Sequence, residues 1–205
     1  MQLFYIMDPM CSWCWAFSPS IDAIKEHYPQ LSITYLLGGL AEDSDQPMPE
    51  EQRDYIQSIW QSIEAKTGTQ FNYEFWTRCE PRRSTWPACR AVITAEALAP
   101  GSAAAMTRAI QLAYYLNAQN PSNDETLIGA AKHIGLEADA FQLLLHSPES
   151  KSLLDQHRAL GQKMDANGFP ALRLVVNDQV FRVSDGYMPE DKTISILRGL
   201  IEELN

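Results

Sequence analysis

Cys11 and Cys14 stand two residues apart in the stretch Met7-Asp8-Pro9-Met10-Cys11-Ser12-Trp13-Cys14. That spacing suits three arrangements: a thiol pair that opens and closes as a disulfide, half of a metal site, or two small buried side chains with no reaction. The first needs the start of a helix. Free backbone N–H groups and the helix dipole favour an anion there, so a cysteine at the helix tip becomes a thiolate more readily. Thiols in such motifs titrate between ~3.5 and ~7.5, and each unit of lowering stabilises the thiolate by about 1.4 kcal/mol. The second cysteine, one turn on, can attack a mixed disulfide and release the bound partner. The metal reading needs two more close ligands. Nine residues separate Cys79 from Cys89, and His27, His133, His146 and His157 form no close pair, which disfavours a zinc site.

Gly168-Phe169-Pro170-Ala171 is the second feature. Proline cannot donate to a strand ladder and belongs at edges or turns. Here it opens a strand that should lie centrally, and a cis bond between Phe169 and Pro170 would make the turn.

The elements that must position these residues follow from periodicity. Leu3–Met7 is apolar, aromatic and β-branched, and Asp8-Pro9 ends it, as for a buried strand. Phe17, Ile21, Ile24 and Tyr28 then make one face of a helix, with the cysteines at its start. Leu31–Leu37 is a second strand, closed by Gly38-Gly39. From about residue 41 to 165 the pattern is helical. One helix carries Tyr55, Ile56, Ile59, Trp60 and Ile63 on one side; another covers Cys89, Val92, Ile93 and the alanines to Ala99; a third runs from Ser102 to Leu116. Ser122 to Glu125 has capping-box spacing, and Ser147-Pro148 marks a helix start. Strands return at Ala171–Val176 and Val180–Val183 as a hairpin, and a last helix aligns Ile194, Leu197, Ile201 and Leu204. The expected class is α/β: βαβ…ββα with a large all-helical insertion. The expected division is 1–40 with 166–205 as a discontinuous α/β domain and 41–165 as an inserted helical domain.

Composition bounds the partners. Hydrophobic residues at 45% and charged residues at 20% are a globular balance, with enough of both for one sizeable core. A formal charge of −10 makes nucleic-acid phosphate a poor partner. No stretch approaches a membrane span, and the first ten residues carry no Lys or Arg ahead of a short apolar run, so a cytoplasmic location is expected. In a reducing compartment a close cysteine pair points to catalysis or metal binding rather than a structural disulfide.

Asp8-Pro-Met-Cys-Ser-Trp-Cys14 after the first strand, Gly168-Phe-Pro170 before the hairpin, and the helical stretch between them together resemble the thioredoxin superfamily over essentially the whole chain. The resemblance is closest to the DsbA-like branch and, in the form of the cysteine motif, to its FrnE-like and 2-hydroxychromene-2-carboxylate isomerase-like members. It implies a thioredoxin fold for residues 1–40 with 166–205, and a thiol–disulfide oxidoreductase with Cys11 as nucleophile, Cys14 as resolving thiol and Pro170 as the cis residue facing them. Ser12, Trp13 and Phe169 would contact an extended substrate beside that proline. It implies no cofactor beyond the cysteine pair, with glutathione as a candidate co-substrate, and partners that are protein or small-molecule thiols and disulfides. The sequence departs from DsbA in having Ser12-Trp13 where DsbA has Pro-His, and Tyr5 where DsbA has an acid six residues before the first cysteine. The nearest acid is Asp8, which could relay protons for Cys14 or merely shape a turn.

Further features carry two readings each. Trp13 is expected to be exposed for substrate contact and Trp15 buried. Cys79 and Cys89 are either a second thiol pair or two separate thiols, and the apolar stripe around Cys89 favours the latter. Family members place the segment 84–90 near the site mouth, so Cys89 would approach Cys11, and Arg82 and Arg83 would bind an acidic thiol or form a solvated pair. Two other functions remain open on this fold: a glutathione-dependent isomerase or transferase, whose members commonly have Ser where Cys11 stands, and a non-catalytic binding module.

Overall fold

Leu3, Tyr5 and Met7 alternate with Phe4 and Ile6, so a strand here presents apolar groups to both sides. They form β1 (Gln2–Met7) in a computed structural model that describes residues 1–204. β1 runs parallel to β2 (Ser32–Leu37), from Gln2 beside Ser32 to Met7 beside Leu37. Its other edge pairs antiparallel with β3 (Ala171–Val176), which pairs antiparallel with β4 (Gln179–Asp185), giving the order β2-β1-β3-β4. The β3–β4 hairpin turns on Asn177 and Asp178, with φ of 48° and 63°. A two-residue turn of this hand needs left-handed backbone at both positions, and Asn and Asp tolerate it best after glycine.

Parallel strands require a crossover. It is made by α1 (Ser12–Ala16) and α2 (Ser18–His27), two helices where the apolar spacing suggested one. Pro19 has no N–H to offer the Trp15 carbonyl, and the chain breaks at Phe17. Phe17, Ile21 and Ile24 still form one buried stripe against the sheet.

Between β2 and β3 lie α3 (Glu50–Thr67), α4 (Phe75–Arg78), α5 (Trp86–Leu98), α6 (Ala103–Tyr115), α7 (Asp124–His133), α8 (Ala138–Leu145) and α9 (Pro148–Lys163); α10 (Glu190–Leu204) follows β4. Among the described residues no helix is long and apolar enough to cross a membrane. One apolar core joins Leu3, Tyr5 and Leu172 of the sheet to Val92, Ile110, Leu127 and Phe141 of the helices. A second, around Trp60, is mostly aromatic. A third lines the opposite sheet face with Ile6, Leu36 and Ala171.

Two local expectations change. Trp60 and Ile63 are buried on α3, but Tyr55 is 65% exposed, because it lies about 100° round the helix from Ile56 and outside the narrow contact stripe. Ser122 does not cap α7. It is buried, with its hydroxyl donating to the Ser84 carbonyl (2.7 Å), and Asn123 takes the N-cap position. Ser147 does cap α9, accepting from the Ser150 N–H at 3.1 Å.

Candidate active site

Cys11 is the N-cap residue of α1, with its N–H donating to the Asp8 carbonyl (3.0 Å) and its carbonyl accepting from the Trp15 N–H (3.0 Å). The Asp-Pro turn therefore ends β1 and aims the motif in one step. Cys11 is 8% exposed and Cys14 is fully buried, and all four cysteines are free thiols. Cys11 Sγ lies 3.9 Å from the Phe169 carbonyl oxygen, and the Phe169–Pro170 peptide is cis. The two features noted in sequence, 158 residues apart, thus meet. Burial pushes the Cys14 thiol well above its usual range; Cys11 and the charge of Asp8 push it the same way. With α1 only five residues long and broken from α2, the helix field on the motif is that of a short helix rather than the long one expected.

Asp8 is 0% exposed. Its Oδ1 accepts from the Met10 N–H (2.8 Å), which shapes the turn. Its Oδ2 accepts from the Leu40 N–H (2.8 Å), the Thr85 hydroxyl (2.6 Å) and the Cys89 thiol (3.4 Å). No cation pairs with it among the described residues. Burial raises its carboxyl above the ordinary range, partly offset by those donors. Turn-shaping and a buried titratable group therefore coexist in one side chain. Tyr5, in place of the acid of DsbA, points its hydroxyl to the Cys14 carbonyl (3.5 Å), and burial pushes its phenol well up.

The residues expected to contact substrate divide. Phe169 is half-buried, and its ring packs on Gly38, where a Cβ would sit 1.9 Å from the ring edge, so only glycine admits it. Trp13 is half-buried rather than exposed, with its ring 5.5 Å from that of Tyr187. Trp15 is buried and stacked on Tyr115 (5.6 Å, 12°). The Ser12 hydroxyl accepts from the Trp60 indole N–H at 2.9 Å, so its oxygen locks the motif to α3 instead of standing free.

Cys79 and Cys89 belong to different cores. Cys79 packs against the aromatic cluster and donates to the Ala118 carbonyl (3.1 Å); Cys89 is wholly buried beside Asp8, and burial pushes its thiol well up. Arg82 is tied to the Ser122 carbonyl and to Asn123 Oδ1 (2.8 Å) at the start of α7. Arg83 is exposed.

Two positioning residues escaped sequence reasoning. Arg173, 1% exposed in β3, donates to the carbonyls of Met164 (2.8 Å), Asp165 (2.7 Å), Leu172 (3.0 Å) and Ser184 (2.9 Å) and pairs with Asp185 (2.6 Å). It fastens the segment leading to Pro170 to the sheet. A lone arginine in the apolar run Ala171–Val176 was its signal. His157 on α9 accepts from the Leu37 N–H at Nδ1 (3.3 Å) and lines a cavity of about 230 Å³ with Gly38, Arg158 and Phe169. Burial lowers its pKa. Nothing in its local sequence marked it.

A cysteine pair at the first crossover, faced by a proline loop ahead of a β-hairpin, defines the thioredoxin class, and the helices between the halves define its DsbA-like form. A family model described as a DSBA-like thioredoxin domain matches residues 3–192, and the chain belongs to that family. A protein from Nitrosomonas europaea, provisionally described as a protein disulfide isomerase, superposes with a TM-score of 0.90 at 28% identity, covering 100% of this chain and 98% of that one. Cytosolic disulfide reductase DsbM from Pseudomonas aeruginosa, in a structure with glutathione, gives 0.81 at 27% identity, covering 98% and 100%. Among curated proteins, the ClpXP adapter protein SpxH of Halalkalibacterium halodurans is 24% identical over 98% of this chain and 68% of its own length. The chain spans only 57% of the SpxH of Bacillus subtilis, at 21% identity.

Proposed function

We propose that the protein is a thiol–disulfide oxidoreductase, with Cys11 as nucleophile and Cys14 as resolving thiol. One observation carries this reading: Cys11 Sγ sits 3.9 Å from the Phe169 carbonyl, with Cys14 buried one turn on. In the reductive direction the Cys11 thiolate attacks one sulfur of a substrate disulfide. That S–S bond breaks, a mixed disulfide forms, and the first substrate thiolate leaves and takes a proton. The Cys14 thiol must then lose its own proton, which burial opposes. Asp8, a buried carboxylate whose charge bears on Cys14, is the proposed acceptor. The Cys14 thiolate attacks Cys11, the second substrate thiol is released, and the pair is oxidised by two electrons as the substrate gains them. An extended substrate segment would lie along Phe169 and Pro170 with Trp13 at its flank.

The substrates in this reading are thiols and disulfides, of proteins or small molecules, with no cofactor beyond the cysteines. The glutathione in the DsbM structure supports glutathione as co-substrate, and the cytosolic description of that reductase supports a cytoplasmic site of action. A second reading has a specific observation behind it: the curated relatives are named adapters, which favours a binding module on the same fold. The isomerase alternative has only a fold-level likeness behind it, and Cys11 in place of Ser stands against it.

Redox titration separates the first two. In glutathione buffers of graded potential, the wild type should pass through one two-electron transition, and peptide mapping should find Cys11 joined to Cys14. Cys11→Ser should abolish that transition while leaving any adapter-type binding in place. Absence of a Cys11–Cys14 disulfide at every potential would sink the enzyme reading.

A further inference from the structure

In a chain with a formal charge of −10, positive charge near the reacting thiol is scarce, so its placement bears on which substrates approach. Lys66, in the last turn of α3, holds its ammonium 5.3 Å from the centre of the Trp13 ring and 5.9 Å from that of Tyr187. Trp13 lies between the two cysteines, so this ammonium stands over the motif itself. Lys66 is exposed and makes no ion pair among the described residues.

Arg108 stands 4.8 Å from the centre of the buried Trp15 ring, and Arg158 on α9 is a further cation held over an aromatic ring, this one on the Phe169 side. Its guanidinium carbon is 4.5 Å from the centre of the Trp86 ring, and Trp86 Nε1 donates to the Gly39 carbonyl (3.3 Å). The same side chain lines the cavity of about 230 Å³ beside Phe169, with Gly38, His157, Gln162 and Asn167. Its contact with Asp155 is a monodentate i,i+3 pair at 3.3 Å with the carboxylate largely in water, too weak to neutralise it. An aromatic face holds a cation in place without cancelling its charge. Arg82, by contrast, turns its Nη2 to the Ser122 carbonyl and Asn123 Oδ1, just ahead of α7.

We infer that Lys66 and Arg158 are specificity-determining residues that select anionic disulfides and thiols, whose carboxylates meet one cation over Trp13 and the other at the Phe169 cavity. The inference rests on the oxidoreductase reading above, and adds to it a charge preference and the residues that set it. The chemistry is the exchange already written, the two cations holding substrate without sharing in bond making.

The test uses pre-reduced protein in single turnovers, so that no external reductant is needed. Three disulfides serve as probes: oxidised glutathione (net negative), bis(2-hydroxyethyl) disulfide (neutral) and cystamine (positive). Acid-quenched samples are scored by mass for oxidation of the cysteine pair. For each protein the rate on either charged probe is divided by the rate on the neutral one, so losses common to all three cancel. Lys66→Ala and Arg158→Ala should each lower the glutathione ratio about fivefold, the effect of one exposed charge at contact distance. Each should raise the cystamine ratio. Lys66→Glu should shift both ratios further in the same directions, and 0.5 M salt should shrink the wild-type preference. Ratios that stay put in all three variants, while the wild type reacts normally, overturn the charge selection and leave the oxidoreductase reading standing. A wild type that reacts with none of the probes overturns that reading, and this inference with it.

Discussion

On one side of the cysteine motif, Trp60 is wholly buried among Phe71, Tyr73, Phe75, Trp76, Tyr114 and Tyr115, with ring centres 4.9–6.0 Å away, and its indole N–H reaches Ser12. On the other side Asp8 is just as deeply buried, but its neighbours are N–H, O–H and S–H donors. The aromatic side offers dispersion and area, and so fixes position. The polar side offers an ionisable group in a dry setting, and so governs protonation. The cysteine motif has both beside it, each supplied by a separate part of the chain. Changes on the aromatic side should therefore cost stability, and changes on the Asp8 side should alter pH dependence.

The largest effect belongs to the junction of the two. Cys11→Ser should lower disulfide exchange by at least about a thousandfold, read as the rate of oxidised glutathione reduction, with little change in urea midpoint. Next, Trp60→Ala should cost about 3–5 kcal/mol in urea unfolding, whereas Trp60→Phe should keep most of that stability. Arg173→Met belongs with it in size, at about 3–5 kcal/mol, because the carbonyls of Met164, Asp165, Leu172 and Ser184 lose their buried donor, while Asp185 keeps Arg182 at 3.1 Å. If Trp60→Ala changed the pH profile of exchange and left stability alone, the division between the two sides would fail.

Burial raises the Asp8 carboxyl, so the folded chain holds that proton more tightly than the unfolded chain does. The Asp8 contribution is then fullest below the ordinary value of 3.8 and declines as pH rises through the higher folded value. Asp8→Asn should remove that decline, so variant and wild-type stabilities should diverge in the variant's favour as pH rises from about 4. Parallel stability curves across that range would contradict the placement of the charge. The smallest effect is expected from Cys89→Ala. Loss of the thiol donor should raise the Asp8 carboxyl further, which deepens that decline and extends it to higher pH, and Cys89→Ser should reverse this.

The parts of this site that the sequence announces are local ones. β1, the cysteine turn and the Pro170 loop each depend on residues within a few positions, so alternation, Asp-Pro and Phe-Pro sufficed to find them. The break at Phe17 was also local, carried by Pro19 inside an otherwise continuous helical stripe. What stayed hidden depends on distant partners. Cys89 reaches Asp8 across 81 residues and Trp60 reaches Ser12 across 48, and no spacing rule connects either pair. Ser122 misled for the same reason: its hydroxyl is drawn to the Ser84 carbonyl, 38 residues back, in place of the cap its neighbours suggested.

Cys11 is the sulfur proposed to meet substrate, and a trapping experiment tests this most directly. Reduced Cys14→Ala protein is mixed with oxidised glutathione at neutral pH, and its intact mass and peptide map are read over time. The expected result is one glutathione per chain, attached at Cys11 and persistent because nothing resolves it. A protein that stays unmodified, or one that carries glutathione first on Cys79, would contradict the account.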